Sequence, residues 1–133
     1  MSSTTSFTST EHTLRKTEPM NQIKADLISA RELIQQGWIK EYSHQLIEGQ
    51  YCFCILGAIN ETAAPGAFTG DGEVLWTLEE DARYEAMIAA LGLQLGIGDQ
   101  NSSSIIQFND APETTKEEVL TLFDKAIAAQ PQD

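Results

Sequence analysis

Basic residues are scarce in this sequence. Among its 133 residues, eight are Lys or Arg and twenty are Asp or Glu, which gives a formal net charge of −12. Proteins that bind nucleic acid directly neutralise phosphates with clustered basic side chains. Here the basic residues are scattered from Arg15 to Lys125. The composition therefore predicts that the protein does not bind nucleic acid directly.

Long apolar segments are also missing. No apolar run approaches the roughly 20 residues that a membrane-spanning helix needs. The N-terminus lacks the basic segment followed by an apolar segment that is typical of a secretory signal. We therefore expect no membrane association and a cytoplasmic location.

Cysteine is limited to Cys52 and Cys54, which are separated by one residue. A disulfide between them would close a loop too small for the preferred geometry, so both are expected to be reduced. Structural zinc requires four ligands, usually in paired spacings. Cys52 and Cys54, with His44 and the distant His12, do not form that pattern. The sequence predicts no metal site, and no motif indicates a cofactor.

The chain divides into a polar tail and one domain. Eight of the first ten residues are Ser or Thr, and such a segment buries too little apolar surface to offset its ordering entropy. Residues 1–19 are predicted to be a flexible tail, and residues 20–130 a single helical domain.

Helical patterns account for most of that domain. Asn21 is a candidate cap for a first helix that ends at Gly37, where a left-handed conformation is expected. Two later helices begin with capping boxes, which have Glu three residues after Thr: Thr77 with Glu80, and Thr115 with Glu118. The helical spacing predicts these buried residues: Ile23, Leu27, Ala30, Leu33 and Ile34; Ala82, Ala86, Met87, Ala90, Leu91 and Leu95; Val119, Leu122, Phe123, Ala126 and Ile127.

The remaining segments are shorter. Glu48-Gly49 between two apolar stretches permits a tight hairpin. Residues 54–60 are apolar on nearly all sides and predict a short buried helix, in which Gly57 and Ala58 allow another segment to approach closely. Residues 105–108 predict a short strand or a single helical turn. The expected fold is mainly α, a compact bundle of three to four helices with one short β-hairpin.

Three short motifs carry a resemblance to a known family. They are Gly37-Trp38, then Cys54-x-x-Gly57-Ala58, and then Phe108-Asn109-Asp110 followed by the capped last helix. The arrangement resembles an uncharacterised family of bacterial and phage domains of unknown function, over residues 21–129. The resemblance implies a single domain and implies no activity.

Cys54 is the most distinctive candidate for chemistry. A cysteine in the first turn of a helix can have a lowered pKa, and His44 with Asn109 or Asp110 could supply a base and an orienting group. The competing interpretation is a buried cysteine that packs as a small apolar residue, which the apolar residues around it favour. For Asn109 and Asp110, the chemistry of short polar side chains before a helix favours a local role in fixing the turn.

An acidic run is the second candidate site. It contains Asp71, Glu73, Glu79, Glu80, Asp81 and Glu85 within fifteen residues, opposed only by Arg83. Such a run is usually a solvated face, and the alternative is a surface that docks on a basic partner. The candidate docking residues are Glu73, Glu79, Asp81 and Glu85.

Together these observations favour a non-catalytic, protein-binding accessory or regulatory domain, associated with a mobile element. Two alternatives remain open. One is a small cysteine hydrolase or transferase that uses Cys54. The other is an acidic mimic of nucleic acid that docks on a basic protein.

Overall fold

The computed structural model describes residues 19–67, 76–96 and 101–131. Its elements, in chain order, are α1 (Pro19–Gln36), β1 (His44–Ile47), β2 (Gln50–Phe53), α2 (Ile55–Ala63), α3 (Leu78–Leu95), α4 (Ser102–Asp110) and α5 (Lys116–Ala128). The two strands form one antiparallel hairpin. The predicted fold class, mainly helical with one short hairpin, is therefore confirmed. No helix within the described residues is long and apolar enough to cross a membrane.

One apolar core holds the helices together. Helix α1 packs against α2, α3 and α5, and α3 also contacts α2, α4 and α5. Side chains from every helix and from β2 meet in this core, where water is excluded and apolar burial stabilises the fold. Its largest fully buried apolar members are Leu27, Ile34, Phe53, Ile55, Ile59, Met87, Leu91, Ile105, Val119 and Phe123.

Both predicted capping boxes are present. Thr77 Oγ1 accepts from the Glu80 amide at 3.0 Å, and Glu80 Oε1 accepts from the Thr77 amide at the same distance. Thr115 and Glu118 make the equivalent pair of hydrogen bonds at the start of α5. These bonds satisfy amides that a helix leaves unpaired in its first turn. Helix α3 then ends at Gly96, which has a left-handed φ of 72°.

The hairpin turns at Glu48-Gly49, as predicted. Their φ angles of 50° and 82° are both positive, as a type I′ hairpin turn requires. Tyr51 and Phe53 lie on one face of the hairpin with ring centroids 6.2 Å apart. That face leads into the core, since Phe53 is buried and Tyr51 is half-buried.

The first helix ends before Gly37 as predicted, but it differs from prediction in its start and in the conformation of that glycine. It begins at Pro19, so Asn21 lies inside it rather than at the cap. Gly37 does not have the positive φ that was expected of a left-handed stop. Its role is close approach: a Cβ atom there would lie 2.7 Å from Cys52 Sγ and 3.0 Å from the Tyr51 carbonyl oxygen. Glycine at this position lets the chain run beside β2.

Two other predictions need correction. Residues 105–108 do not form a strand or a single turn, because they lie within the nine-residue helix α4. Asn101 caps that helix by accepting from the Ser104 amide at 3.1 Å. This cap was not predicted, because Asn101 lies within a run of polar residues that resembles a loop. On α3, Ala82 is exposed and Ile88 is buried instead.

The predicted tail lies almost wholly in residues 1–18, outside the described part of the chain.

Candidate functional site

A buried asparagine, Asn109, joins three distant segments of the chain. Its Oδ1 accepts from Trp38 Nε1 at 2.8 Å and from the Ile55 amide at 3.1 Å. Its Nδ2 donates to the Ile39 carbonyl at 3.2 Å and to Asp110 Oδ1 at 2.9 Å. A side-chain amide offers two donor hydrogens and two acceptor positions, so Asn109 uses all four. The residue is only 1% exposed.

This arrangement corrects the predicted role of Asn109 and Asp110. A local turn before the last helix was expected, but both residues end α4 and their side chains reach the segment after α1. Asp110 Oδ1 accepts from the Glu41 amide at 2.9 Å. Glu41 has a positive φ of 72°, a strained conformation for a residue with a side chain, and this hydrogen bond helps to hold it there.

Cys54 caps the helix that Asn109 anchors. Its Sγ accepts from the Gly57 amide at 3.3 Å, while Asn109 accepts from the first amide of the helix, that of Ile55. Two of the unpaired amides at the start of α2 are thus satisfied by side chains. Gly57 allows the segment before β1 to pack closely against α2. A Cβ atom at position 57 would lie 1.8 Å from the Ser43 carbonyl oxygen.

These contacts surround a surface pocket of about 230 Å³. Its floor and walls combine the polar ends of α2 and α4 with apolar side chains. The residues that line it are Glu41, Tyr42, Ser43, Cys54, Leu56, Asn60, Ile105, Ile106, Asn109 and Asp110. The Cys54 motif and the Asn109-Asp110 motif therefore meet at this pocket. Trp38 does not line it but donates a hydrogen bond to Asn109, which does.

The electrostatics of the pocket disfavour an ionised thiol. Burial raises the pKa of Cys54, and the negative charge of Asp110 raises it further, against the lowering effect of the Gly57 and Leu56 amides. Desolvation penalises the charged form of a thiol, and a nearby like charge does the same. Burial and the Asp110 carboxylate thus oppose the lowering of the Cys54 pKa that a helix N-terminus favours.

Lys40 does not line the pocket and is held by backbone carbonyl groups just after α4. Its Nζ donates to the carbonyl oxygens of Ala111 at 2.6 Å and Pro112 at 3.4 Å. It also lies 5.5 Å from the centre of the Trp38 ring, close enough for a cation–π interaction. Within the described residues, the ion pairs are Arg31–Asp124 and Arg83–Asp26. The Glu41 and Asp110 carboxylates belong to neither of them.

The structure brings together only part of the predicted catalytic set. Cys54, Asn109 and Asp110 line the pocket, and His44 is not among the described residues that do. His44 begins β1 opposite Phe53, and its Nδ1 lies 3.0 Å from Ser43 Oγ. Both cysteines are free thiols. Within the described residues, no three His, Cys, Asp or Glu side chains are grouped as a metal site would require.

The acidic run is described only in part. Glu79, Asp81 and Glu85 are exposed on α3, while Asp71 and Glu73 lie outside the described residues.

Sequence reasoning missed the pocket residues Glu41, Tyr42, Asn60 and Ile106. Their positions depend on the turn at Glu41 and on the true length of α4. The one available signal was the grouping of motifs, since Cys54 and Asn109-Asp110 line this pocket and Trp38 bonds Asn109.

The fold and site define a class of protein: a small, mainly helical domain in which a buried asparagine supports a surface pocket. A family model matches residues 18–129. The chain therefore belongs to the family of unknown function DUF6197. It shows no significant similarity to curated proteins or to solved structures.

Proposed function

We propose that this chain is a non-catalytic protein-binding domain whose partner contacts the mouth of the pocket. The observation that carries the proposal is a pair of large apolar side chains at that mouth. Tyr42 is 60% exposed and Ile106 is 43% exposed, and both line the pocket. Aromatic and aliphatic side chains beside a pocket are typical anchors of a protein interface.

The hydrogen bonding of the pocket floor supports a binding role over a catalytic one. All four hydrogen-bonding positions of Asn109 are used within the protein, and the Cys54 thiol caps α2. A catalytic group must be able to exchange protons or electrons with a substrate. Here the polar groups are committed to holding the fold, while the apolar groups at the mouth are exposed.

Two observations weigh against the alternative functions. Burial raises the pKa of Cys54, whereas a cysteine hydrolase needs a thiolate near neutral pH. For the acidic mimic, Glu80 belongs to the capping box of α3, and Glu79 and Asp81 lie in the same first turn. Acidic residues there stabilise a helix through its dipole. A cytoplasmic location and a link to a mobile element stay predictions from the sequence.

The proposal is tested by removing the two apolar anchors. The double variant Tyr42→Ser, Ile106→Ser is compared with the wild type in affinity capture from native lysate with quantitative mass spectrometry. Recovered partners should bind the variant roughly thirtyfold more weakly, because each truncated anchor costs about 1 kcal/mol or more. Melting temperatures of all proteins are measured in parallel.

The chain offers a matched control. Ile28 and Leu93 are 41% and 59% exposed and do not line the pocket. The double variant Ile28→Ser, Leu93→Ser therefore removes similar exposed apolar surface elsewhere, and it should retain the partners. Equal retention by both double variants, or capture of no protein by the wild type, would contradict the proposal.

A further inference from the structure

Two carboxylates at the pocket form no ion pair with any described residue. Glu41 and Asp110 both line the pocket. Within the described part of the chain the ion pairs lie elsewhere, at Arg31–Asp124 and Arg83–Asp26. The surrounding protein is strongly acidic, with a formal net charge of −12. A field of this sign attracts cationic groups and repels anionic ones.

The Asp110 carboxylate is held in a defined orientation. Its Oδ1 accepts from the Glu41 amide and from Asn109 Nδ2, each at 2.9 Å. Its Oδ2 accepts no hydrogen bond from any described residue. One oxygen atom is thus fixed by the protein, and the other remains an acceptor for a ligand in the pocket. Such a prearranged carboxylate favours a charged donor, since charge-assisted hydrogen bonds are the stronger ones.

The walls of the pocket add an apolar requirement. Tyr42, Leu56, Ile105 and Ile106 contribute apolar lining, and the volume is about 230 Å³. That volume lies below the roughly 300–1,000 Å³ of sites for drug-sized ligands, and is better suited to a single side chain. An aliphatic stem with a cationic end, as in lysine and arginine, matches both the walls and the carboxylates.

We infer that the pocket accepts a lysine or arginine side chain of the protein partner. The inference rests on the proposed function and specifies the chemistry that the partner presents. The exposed Tyr42 and Ile106 flank the pocket and would contact residues on either side of that basic side chain. The chain's own Lys40 is already held by the Ala111 and Pro112 carbonyls, which leaves the carboxylates available to the partner.

The test is an NMR titration of the isotopically labelled full chain with three short peptides. These are acetyl-Leu-Lys-Leu-amide and the same peptide with Gln or Glu in place of Lys. The Lys peptide should shift the amides of Glu41, Ile106 and Asp110, and should bind about tenfold more tightly than the Gln peptide. The Glu peptide should bind most weakly. Added salt should weaken binding of the Lys peptide alone.

Variants show whether the pocket carboxylates are responsible. Asp110→Asn keeps an oxygen that can accept from Glu41 and Asn109 but removes the charge, and Glu41→Gln removes the other charge. Each should reduce the preference for the Lys peptide over the Gln peptide. Glu113→Gln is the matched control, because Glu113 is exposed and does not line the pocket. It should leave the preference unchanged.

Several results would overturn the inference. They are equal binding of the Lys and Gln peptides, no binding of any peptide, and an equal loss in Glu113→Gln. Binding of n-butylammonium as tight as that of the Lys peptide would indicate a site for free amines instead. If Tyr42→Ser, Ile106→Ser loses the captured partner while Asp110→Asn retains it, the inference fails and the proposed function stands. If neither variant loses a partner, the proposed function fails as well.

Discussion

Replacing Asn109 with alanine tests whether its hydrogen bonds hold the fold together. The change leaves the Trp38 indole N–H, the Ile55 amide and the Ile39 carbonyl without their partner. A buried polar group left unsatisfied costs about 1–3 kcal/mol. Ile55 is fully buried, whereas Trp38 and Ile39 are half-buried and can recover part of the loss through water. We therefore expect Asn109→Ala to lower the free energy of unfolding by about 2–4 kcal/mol.

Urea unfolding followed by circular dichroism measures this loss. With a slope of about 2 kcal/mol per molar urea, which is ordinary for a small domain, the midpoint should fall by roughly 1–2 M. Hydrogen exchange provides a local readout, since the Ile55 amide should lose protection beyond what the global change explains. Asn60→Ala is the control. Asn60 lines the same pocket from α2 and bonds no described residue through its side chain, so the cost should stay within about 0.5 kcal/mol.

A charged substitution at the same position gives a pH-dependent result. In Asn109→Asp, the introduced carboxylate can still accept from the Trp38 indole and the Ile55 amide. It can no longer donate to the Asp110 carboxylate, whose Oδ1 lies 2.9 Å from Asn109 Nδ2 in the wild type. The neighbouring negative charge and burial raise the folded-state pKa of the introduced carboxyl above its unfolded value. Stability relative to the wild type is then greatest at low pH and is lost as the pH rises through that raised pKa.

A loss below about 0.5 kcal/mol for Asn109→Ala would refute the structural role of this residue.

Two further substitutions test other contacts of the pocket. Cys54→Ala should cost about 1 kcal/mol in urea unfolding, as for loss of a helix cap. Because burial raises the pKa of Cys54, its alkylation should be slow near neutral pH and accelerate only above the ordinary thiol pKa. Rapid alkylation of Cys54 in the folded protein at neutral pH, located by peptide mapping to distinguish it from Cys52, would contradict this. Gly57→Ala should destabilise by about 1–3 kcal/mol through overpacking, since the new Cβ would lie 1.8 Å from the Ser43 carbonyl oxygen. In an open helix the same change stabilises by about 0.5–1 kcal/mol. A stabilising effect would therefore contradict the close approach of Ser43 to Gly57.

Features of the fold that depend on neighbouring residues could be predicted from the sequence. The capping boxes at Thr77 and Thr115 are local hydrogen-bond patterns. The Glu48-Gly49 turn lies between two strand-forming stretches, and Gly49 adopts a positive φ without steric cost. Gly37 shows the limit of this reasoning. A glycine after a helix usually adopts a left-handed conformation, but here its small size is used for an approach to β2 that the local sequence does not reveal.

The candidate site was less accessible because its contacts are distant in sequence. Asn109 is 71 residues from Trp38 and 54 residues from Ile55. Local chemistry suggested that Asn109 and Asp110 fix a nearby turn, since short polar side chains before a helix usually do so. Nothing in the local pattern identifies the groups that bond Asn109. The positive φ of Glu41 is equally hidden, because the Glu41 amide donates its stabilising hydrogen bond to the Asp110 carboxylate, 69 residues away.

These long separations also determine when the pocket can exist during folding. Contacts between distant residues close large loops, and they form after local helices and hairpins. Helix α1, the hairpin and α2 can form early, but the Ile55 amide has no partner until α4 packs beside it. A chain that has acquired its helices without this last assembly has no pocket. A ligand that bound at the pocket would therefore bind only the completely folded protein and would stabilise that state over any partly assembled one.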